Sequence, residues 1–211
     1  GRSIGFKWSM DQNVGINTTA AWAGPGTVTT TVLTGASSVV TGAWTAGALT
    51  PAFKKGNVFT VGSGATGVYA VNPQSRQSTG ALRQFVVTAD TNTSGGNAAT
   101  IPFAPAIVLS GPFQNVTQTM AANATINMQS AASTTSPQGL AFHKDAFALG
   151  CADLPLPGGV DMAARVSDKQ VGLSIRLVRA YDINTDRFPT RLDVLYGWIT
   201  LYPELACRVS S

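Results

Sequence analysis

Two runs near the end of the chain place apolar residues at every second position. From Gly172 to Tyr181, Leu173, Ile175 and Leu177 alternate with Ser174, Arg176 and Val178, the two-residue period of a half-buried β-strand. From Thr190 to Tyr202, Leu192, Val194 and Tyr196 oppose Arg191, Asp193, Leu195 and Gly197, after which Trp198, Ile199 and Leu201 leave both faces apolar. The loop between them, Asp182 to Arg187, is rich in turn formers, and Pro189 stands at the start of the second run, where a missing N–H does least damage to a ladder. The pattern predicts a hairpin whose second strand is the more buried. Its apolar side chains, Leu173, Ile175, Leu177, Leu192, Val194 and Trp198, are expected to form the core on which the chain most depends.

Upstream the pattern changes. From Gly15 to Pro137 the chain is crowded with Thr, Ser, Ala, Gly and Val and offers little that reads as a capped helix. Strands are predicted at Val28 to Leu33, Val58 to Val61, Val68 to Val71, Leu82 to Thr88, Ala99 to Phe103, Ile107 to Leu109 and Thr125 to Met128. Turn signals separate them at Gly24-Pro25-Gly26, Lys54-Lys55-Gly56-Asn57, Asn72-Pro73, Ser94-Gly95-Gly96-Asn97 and Ser110-Gly111-Pro112. This spacing fits a small barrel or a sandwich anchored by Phe59, Phe85, Phe103 and Phe113. In residues 1–14, Phe6 and Trp8 alternate with Lys7 and Ser9 as in one short strand.

Charge divides the chain at nearly the same place. Residues 1–140 carry eight charged side chains, Arg2, Lys7, Asp11, Lys54, Lys55, Arg76, Arg83 and Asp90, whereas residues 141–211 carry sixteen. The density rises about fourfold, which predicts two regions with a boundary in Ser133 to Pro137. The first is all-β at 15–137, and the second is mixed α/β at 138–211 with 1–14 packed beside it. The 211 residues are enough for a substantial core without a metal or disulfide. A net charge of +4 arises from only 11% charged residues, an ordinary surface rather than the dense basic patch of a dedicated nucleic-acid binder. No run reaches the ~18 apolar residues of a membrane span, and Gly1 to Phe6 do not read as a signal peptide. A start without Met points to a processed product or a piece of something longer.

Candidate chemistry is sparse, and no acid, base and nucleophile can be named as a catalytic set, so an enzyme is not expected. His143 is the single histidine, flanked by Lys144 and Asp145 without an aligned nucleophile, and reads as a polar cluster at a turn. Gly62 to Gly67 looks like a phosphate loop but lacks its Lys, and reads as a hairpin tip. Asp182-Ile183-Asn184-Thr185-Asp186 begins like a calcium loop. Its sixth position is Arg187 instead of Gly, and its twelfth is Asp193 inside a predicted strand. The simpler reading is side chains capping turn amides, with Asp182 or Asp186 paired to Arg179, Arg187 or Arg191. Cys151 and Cys207 have no spaced partners for zinc; buried free thiols are expected, with a disulfide left open. The Asn-x-Ser/Thr triplets at Asn17, Asn92, Asn115 and Asn123 read as loop composition. No catalytic, cofactor-binding or metal-binding residue is assigned, and no cofactor is expected.

The ordered set of C-terminal motifs resembles a known family. The run Gly172 to Tyr181, then Arg191-Leu192-Asp193-Val194-Leu195-Tyr196-Gly197-Trp198 and Tyr202-Pro203-Glu204-Leu205-Ala206, is similar to the end of a tailed-phage coat protein of the phage P22 coat protein family. Leu140 to Phe147 and Ala152 to Pro157 are similar to the segment preceding that hairpin. The resemblance implies an α+β, mainly β fold: the C-terminal part of a capsid fold of the Hong Kong 97 type. Residues 1–14 would be a lead-in strand packing with the capsid core region. Residues 15–137 would be an inserted Thr/Gly-rich β-barrel domain, and 138–211 the C-terminal core region with its hairpin. The N-terminal arm, extended loop and spine helix of that fold have no counterpart in this sequence, so normal assembly of the isolated chain is not expected.

The implied function is that of a structural subunit of an icosahedral phage or prophage capsid, acting by self-assembly through many modest interfaces. The implied partners are other copies of itself, scaffolding and portal proteins, and packaged double-stranded DNA held without sequence preference on the inner face, with no membrane. The implied location is the virion, after synthesis in the bacterial host cytoplasm. From the residues alone, a β-rich binding module of a tail fibre or adhesin is the alternative.

Overall fold

The computed structural model describes residues 2–3, 5–45 and 47–210. Gly1, Ile4, Ala46 and Ser211, which belong to the predicted lead-in strand, the 15–137 domain and the 138–211 region, lie outside the described residues. By its internal contacts the chain divides into two compact units, Asn13–Gln138 and Gly1–Gln12 with Gly139–Ser210. Among the described residues every regular element is a β-strand or a three-residue 3₁₀ turn. The helical part of the α+β expectation is therefore not found, and the mainly β part is.

The unit 13–138 follows from its alternating small apolar residues. Its strands are β3 (Ile16–Thr18), β4 (Gly26–Val28), β5 (Ser38–Gly42), β6 (Val58–Val61), β7 (Tyr69–Val71), β8 (Ser78–Leu82), β9 (Phe85–Val87), β10 (Ala99–Ala104) and β11 (Thr125–Met128); β1 (Arg2–Ser3) and β2 (Phe6–Lys7) precede them and pair with each other. Six strands close a barrel in the order β10-β5-β4-β11-β6-β9, every pair antiparallel. Closure leaves no unpaired edge, and the period-two pattern sends one residue of each pair inward. Val28, Val39, Phe59, Val61, Phe85, Val87, Ile101, Phe103 and Ile126 fill the interior and are buried. The rings of Phe59, Phe85 and Phe103 meet with centroids 5.1–6.0 Å apart, the separations at which aromatic edges and faces attract.

Trp44 belongs to the same buried core. Its ring meets Phe53 edge-on at 4.8 Å, and its indole N–H donates to Thr41 Oγ1 at 2.9 Å, which in turn donates to the Ala99 carbonyl. A buried indole N–H needs such an acceptor. Gly26 makes room for that ring, since a Cβ there would lie 2.2 Å from Trp44 carbons.

All five predicted turn signals are turns or bends. The Lys54–Asn57 turn is closed by Asn57 Oδ1 accepting from the Lys54 amide at 2.8 Å, with Gly56 at φ +90°. The strands Val58–Val61 and Thr125–Met128 have the predicted bounds. Others differ. The Val28–Leu33 strand stops at Val28, and Leu33 is exposed. Ile107–Leu109 is not a strand although Ile107 is buried: Asn115 takes the place of a pairing strand, accepting from the Val108 amide and donating to the Ala106 carbonyl. Phe113, expected as an anchor, is 84% exposed. Strands β5 and β8 were not predicted, because their Ser, Thr and Gly content carries little apolar signal.

The Ser133–Pro137 stretch is not a loop boundary throughout. Strand β12 (Thr135–Phe142) begins there, and its first residues pair with β3 before the chain passes into the other unit. That unit contains β13 (Phe147–Ala152), β14 (Met162–Asp168), β15 (Leu173–Arg179), β16 (Thr190–Asp193), β17 (Leu195–Thr200) and β18 (Ala206–Ser210). The predicted hairpin forms as β15 and β16, but the second run breaks at Val194 and β17 pairs with β13 instead. With β14 on the other side of β15, three strands make one small sheet.

The core sits in the barrel. The buried hydrophobic cluster comprises residues of 13–138 alone, so the expectation that the hairpin is the main core is overturned. Phe103→Ala is expected to destabilise the chain by about 3–5 kcal/mol, and Gly26→Ala to destabilise it by displacing Trp44, whereas Phe113→Ala should change stability by no more than roughly 0.5 kcal/mol. Urea unfolding followed by intrinsic fluorescence separates these outcomes.

Candidate assembly surface

The three-stranded sheet of β14, β15 and β16 has two unlike faces, as alternation requires. One carries Ser174, Arg176 and Val178 of β15, with Ser167, Arg165 and Ala163 opposite on β14 and Asp193 and Arg191 on β16. The other carries Leu173, Ile175 and Leu177, with Val166 and Ala164 opposite on one side and Leu192 on the other, and is bounded at its ends by Asp168 opposite Leu173 and by Arg179 between Met162 and Thr190. The chain covers the middle of the polar face, around Ser174, Arg176 and Asp193, while Arg165, Ser167 and Arg191 stay exposed. Ser174 is buried, and its amide donates to Cys151 Sγ at 3.2 Å. Arg176 donates to the Pro155 carbonyl at 2.6 Å and to Asp193 Oδ2 through Nε and Nη2 at 3.1 and 2.5 Å. The Arg176 and Asp193 side chains are only 14% and 19% exposed. Arg191 also reaches Asp193, at 2.8 Å. These two guanidinium groups hold the Asp193 carboxyl below the usual carboxylate range, because their hydrogen bonds favour its charged form.

The apolar face is open. Val166 is 73% exposed, Leu192 67% and Ile175 44%, with Leu173 and Leu177 half-buried. The neighbouring pair β13–β17 repeats this: Leu149, Tyr196 and Trp198 share one face, Leu195 and Ile199 the other, and all five are exposed, Trp198 at 72%. The second run is thus apolar on both faces, as read from its pattern, but it is the more exposed strand rather than the more buried one. Single exposed apolar residues are ordinary; a contiguous field of them on paired strands marks a surface that meets another.

Other residues singled out in the sequence have local structural work. His143 Nδ1 lies 3.3 Å from both the Asp145 amide and its carboxylate, in an exposed turn. Gly64–Thr66 form a 3₁₀ turn with Ser63 and Thr66 bonded at its start, and a Cβ on Gly62 would meet the Thr66 carbonyl at 2.1 Å; the flanking β6 and β7 lie in different sheets, so the stretch is not the expected hairpin tip. Asp182 accepts from the Asn184 amide and the Thr185 hydroxyl, and Asp186 from the Tyr181 hydroxyl. This is the capping arrangement, and those hydrogen bonds lower the Asp182 pKa. The expected ion pairs differ, since Arg179 pairs with Asp161 and Arg191 with Asp193. Both cysteines are free thiols, Cys151 half-buried and Cys207 exposed, so neither reaches the burial expected of it.

Among the triplet asparagines, Asn115 braces a loop and Asn123 occupies a left-handed turn position at φ +65°. Among the described residues no three His, Cys, Asp or Glu side chains gather into a metal-sized group, and no helix is long and apolar enough to cross a membrane. In the barrel unit Arg83 is half-buried; desolvation pushes its pKa down, and its Nε is buried without a protein partner. Sequence reasoning passed over Arg165, Arg176 and Asp193 as a group.

A protein-family model described as P22 coat protein, gene protein 5, matches residues 17–208. No curated protein matches the chain.

The Asp193 carboxyl should titrate below the ~3.9 of an unfolded Asp, and Arg176→Gln should move its midpoint back up; carbon-detected NMR titration reads both. Because the folded pKa is depressed, the contribution of this group to stability is present above the unfolded value and is lost as pH falls through the folded one. Acid unfolding of Arg176→Gln should accordingly be less steep below about pH 4 than that of the wild type.

Proposed function

This chain belongs to the P22 coat protein family, and from that we infer that it works as a structural subunit of a phage capsid, contributing to the shell by association with other copies and not by catalysis. The finer reading is an icosahedral shell that assembles from these subunits, of phage or prophage origin. In it residues 15–137 are a β-barrel domain inserted into a capsid fold of the Hong Kong 97 type, 1–14 are a lead-in strand packing with that fold's core region, and 138–211 are the core region with its β-hairpin. Scaffolding protein, portal protein and packaged DNA are the further partners this role calls for, with the virion as location and the bacterial cytoplasm as the place of synthesis.

The observation that carries the reading is the inverted sheet. Burying a Val, Leu or Ile side chain stabilises by about 1.5–3 kcal/mol, yet Val166, Ile175 and Leu192 are left open while an arginine beneath them is covered. A surface of this kind is stable in water only at a disadvantage, and it favours the state in which something covers it. Covering several such side chains yields on the order of several kcal/mol, which ordering and docking partly offset. The modest net affinity suits a shell built from repeated contacts. The reading as a tail-fibre or adhesin module is not favoured, because the family match runs through the barrel and the C-terminal strands alike.

The test replaces the open face without disturbing strand propensity: Val166→Thr, Ile175→Thr and Leu192→Thr together. Circular dichroism and urea unfolding should leave the barrel transition unchanged. Particles formed by coat protein carrying the triple change should fall at least tenfold in a sedimentation gradient, since ~1.4 kcal/mol lost at one contact already means a factor of ten. Particle yield equal to that of the wild type would refute this surface as the site of association.

A further inference from the structure

Residues 153–161 join β13 to β14 and read Asp-Leu-Pro-Leu-Pro-Gly-Gly-Val-Asp. Pro155 and Pro157 have no amide hydrogen to give to a ladder. Gly158 and Gly159 follow, with Gly159 at φ +78°, a backbone state that favours glycine. Among the described residues, the hydrogen bonds made to Leu154–Val160 come from arginines of the sheet: Arg165 Nη1 donates to the Leu154 carbonyl at 3.3 Å and Arg176 Nη1 to the Pro155 carbonyl at 2.6 Å. The carboxylates at the two ends are held likewise, Asp153 by Arg165 at 3.7 Å and Asp161 by Arg179 at 2.7 Å.

The arginines have their own reason to hold the segment. Arg165 and Arg176 stand directly opposite each other on paired strands, an arrangement of like charges that opposes strand pairing. Asp153 and the two carbonyls lie against them on one side, and Asp193 takes the other side of Arg176. The ladders of the sheet run between β14, β15 and β16 and use no residue of the segment. Apart from the bond from the covered Arg176, the segment's charge-assisted contacts lie between partly exposed groups, which are weak singly and which salt screens.

We propose that residues 153–161 are an arginine-fastened strap that detaches as a unit from the β14–β16 sheet while the sheet stays folded, baring the Arg165–Arg176 pair. This is a local opening of low stability set beside an element of higher stability. It is independent of the reading of the chain as a capsid subunit, since it rests only on contacts within these strands.

Backbone ¹⁵N relaxation on the intact chain tests it. At low salt the amides of Leu154, Leu156, Gly158, Gly159 and Val160 should show order parameters near those of rigid backbone, about 0.85. In Arg165→Gln/Arg179→Gln they should fall below about 0.6, with residues 173–179 unchanged. Asp153→Asn/Asp161→Asn, which removes the same pairs from the other side and leaves the arginines intact, should act alike. Sodium chloride at about 1 M should lower the wild-type values in the same direction. Strap order unchanged in both variants would overturn the proposal. So would loss of order in 173–179 together with the strap, in either variant or in salt, because the two would then be one unit.

Discussion

The barrel interior is the constraint on which everything else rests. Six short strands, none longer than six residues, cannot hold together by their ladders alone. They are held because Phe59, Phe85 and Phe103 meet at the centre with Val, Ile and Met side chains around them, all withdrawn from water. The polar requirements of the structure are arranged around that interior. The Trp44 indole is satisfied through Thr41, a loop beside Ile107 is braced by one asparagine, and Gly26 is kept small beneath the Trp44 ring. Thr and Ser serve well on the remaining surface because they favour extended backbone and supply hydroxyls to nearby carbonyls.

The other unit works on the opposite principle. It has almost no buried hydrophobic residue of its own, only Ala141 and Ala146 among those described, and places its large apolar side chains outward. What lies beneath is polar: Ser174 against Cys151, and Arg176 shared between Asp193 and a backbone carbonyl. A covered ion pair is weak evidence for stability but a strong specifier of geometry when its hydrogen bonds are complete. Here the pair lies on the covered side of the sheet. The chain's membership of the P22 coat protein family stands beside that orientation, and exposed apolar patches of this kind commonly mark surfaces that meet a partner.

Legibility in the sequence divides along the same line. In the barrel, period-two alternation, Phe anchors and turn residues coincide, so Val58–Val61, Thr125–Met128 and the Lys54–Asn57 turn could be read directly. Strands β5 and β8 escaped because Ser, Thr and Gly leave the alternation without contrast, and Phe113 misled because an aromatic residue carries no mark of being outside. The C-terminal motifs identified the family from their order along the chain, which is a property of sequence and needs no fold. The arginine group was not legible: Arg165, Arg176 and Asp193 are separated by up to 28 positions and meet only through strand register.

By itself the sequence determined that Leu173, Ile175 and Leu177 share one face and Ser174, Arg176 and Val178 the other, because side chains on an extended backbone must alternate. It determined equally that β17 is apolar on both faces. Which face the chain would cover was decided only by tertiary structure. Alternation makes two faces different, but covering one depends on what the rest of the chain brings to it, and here that is a thiol, two backbone carbonyls and two carboxylates, which suit arginines and a serine rather than leucines. The break at Val194, which hands β17 to β13, is likewise a matter of partners and not of pattern, since Leu195 to Thr200 would read as the same strand beside either neighbour.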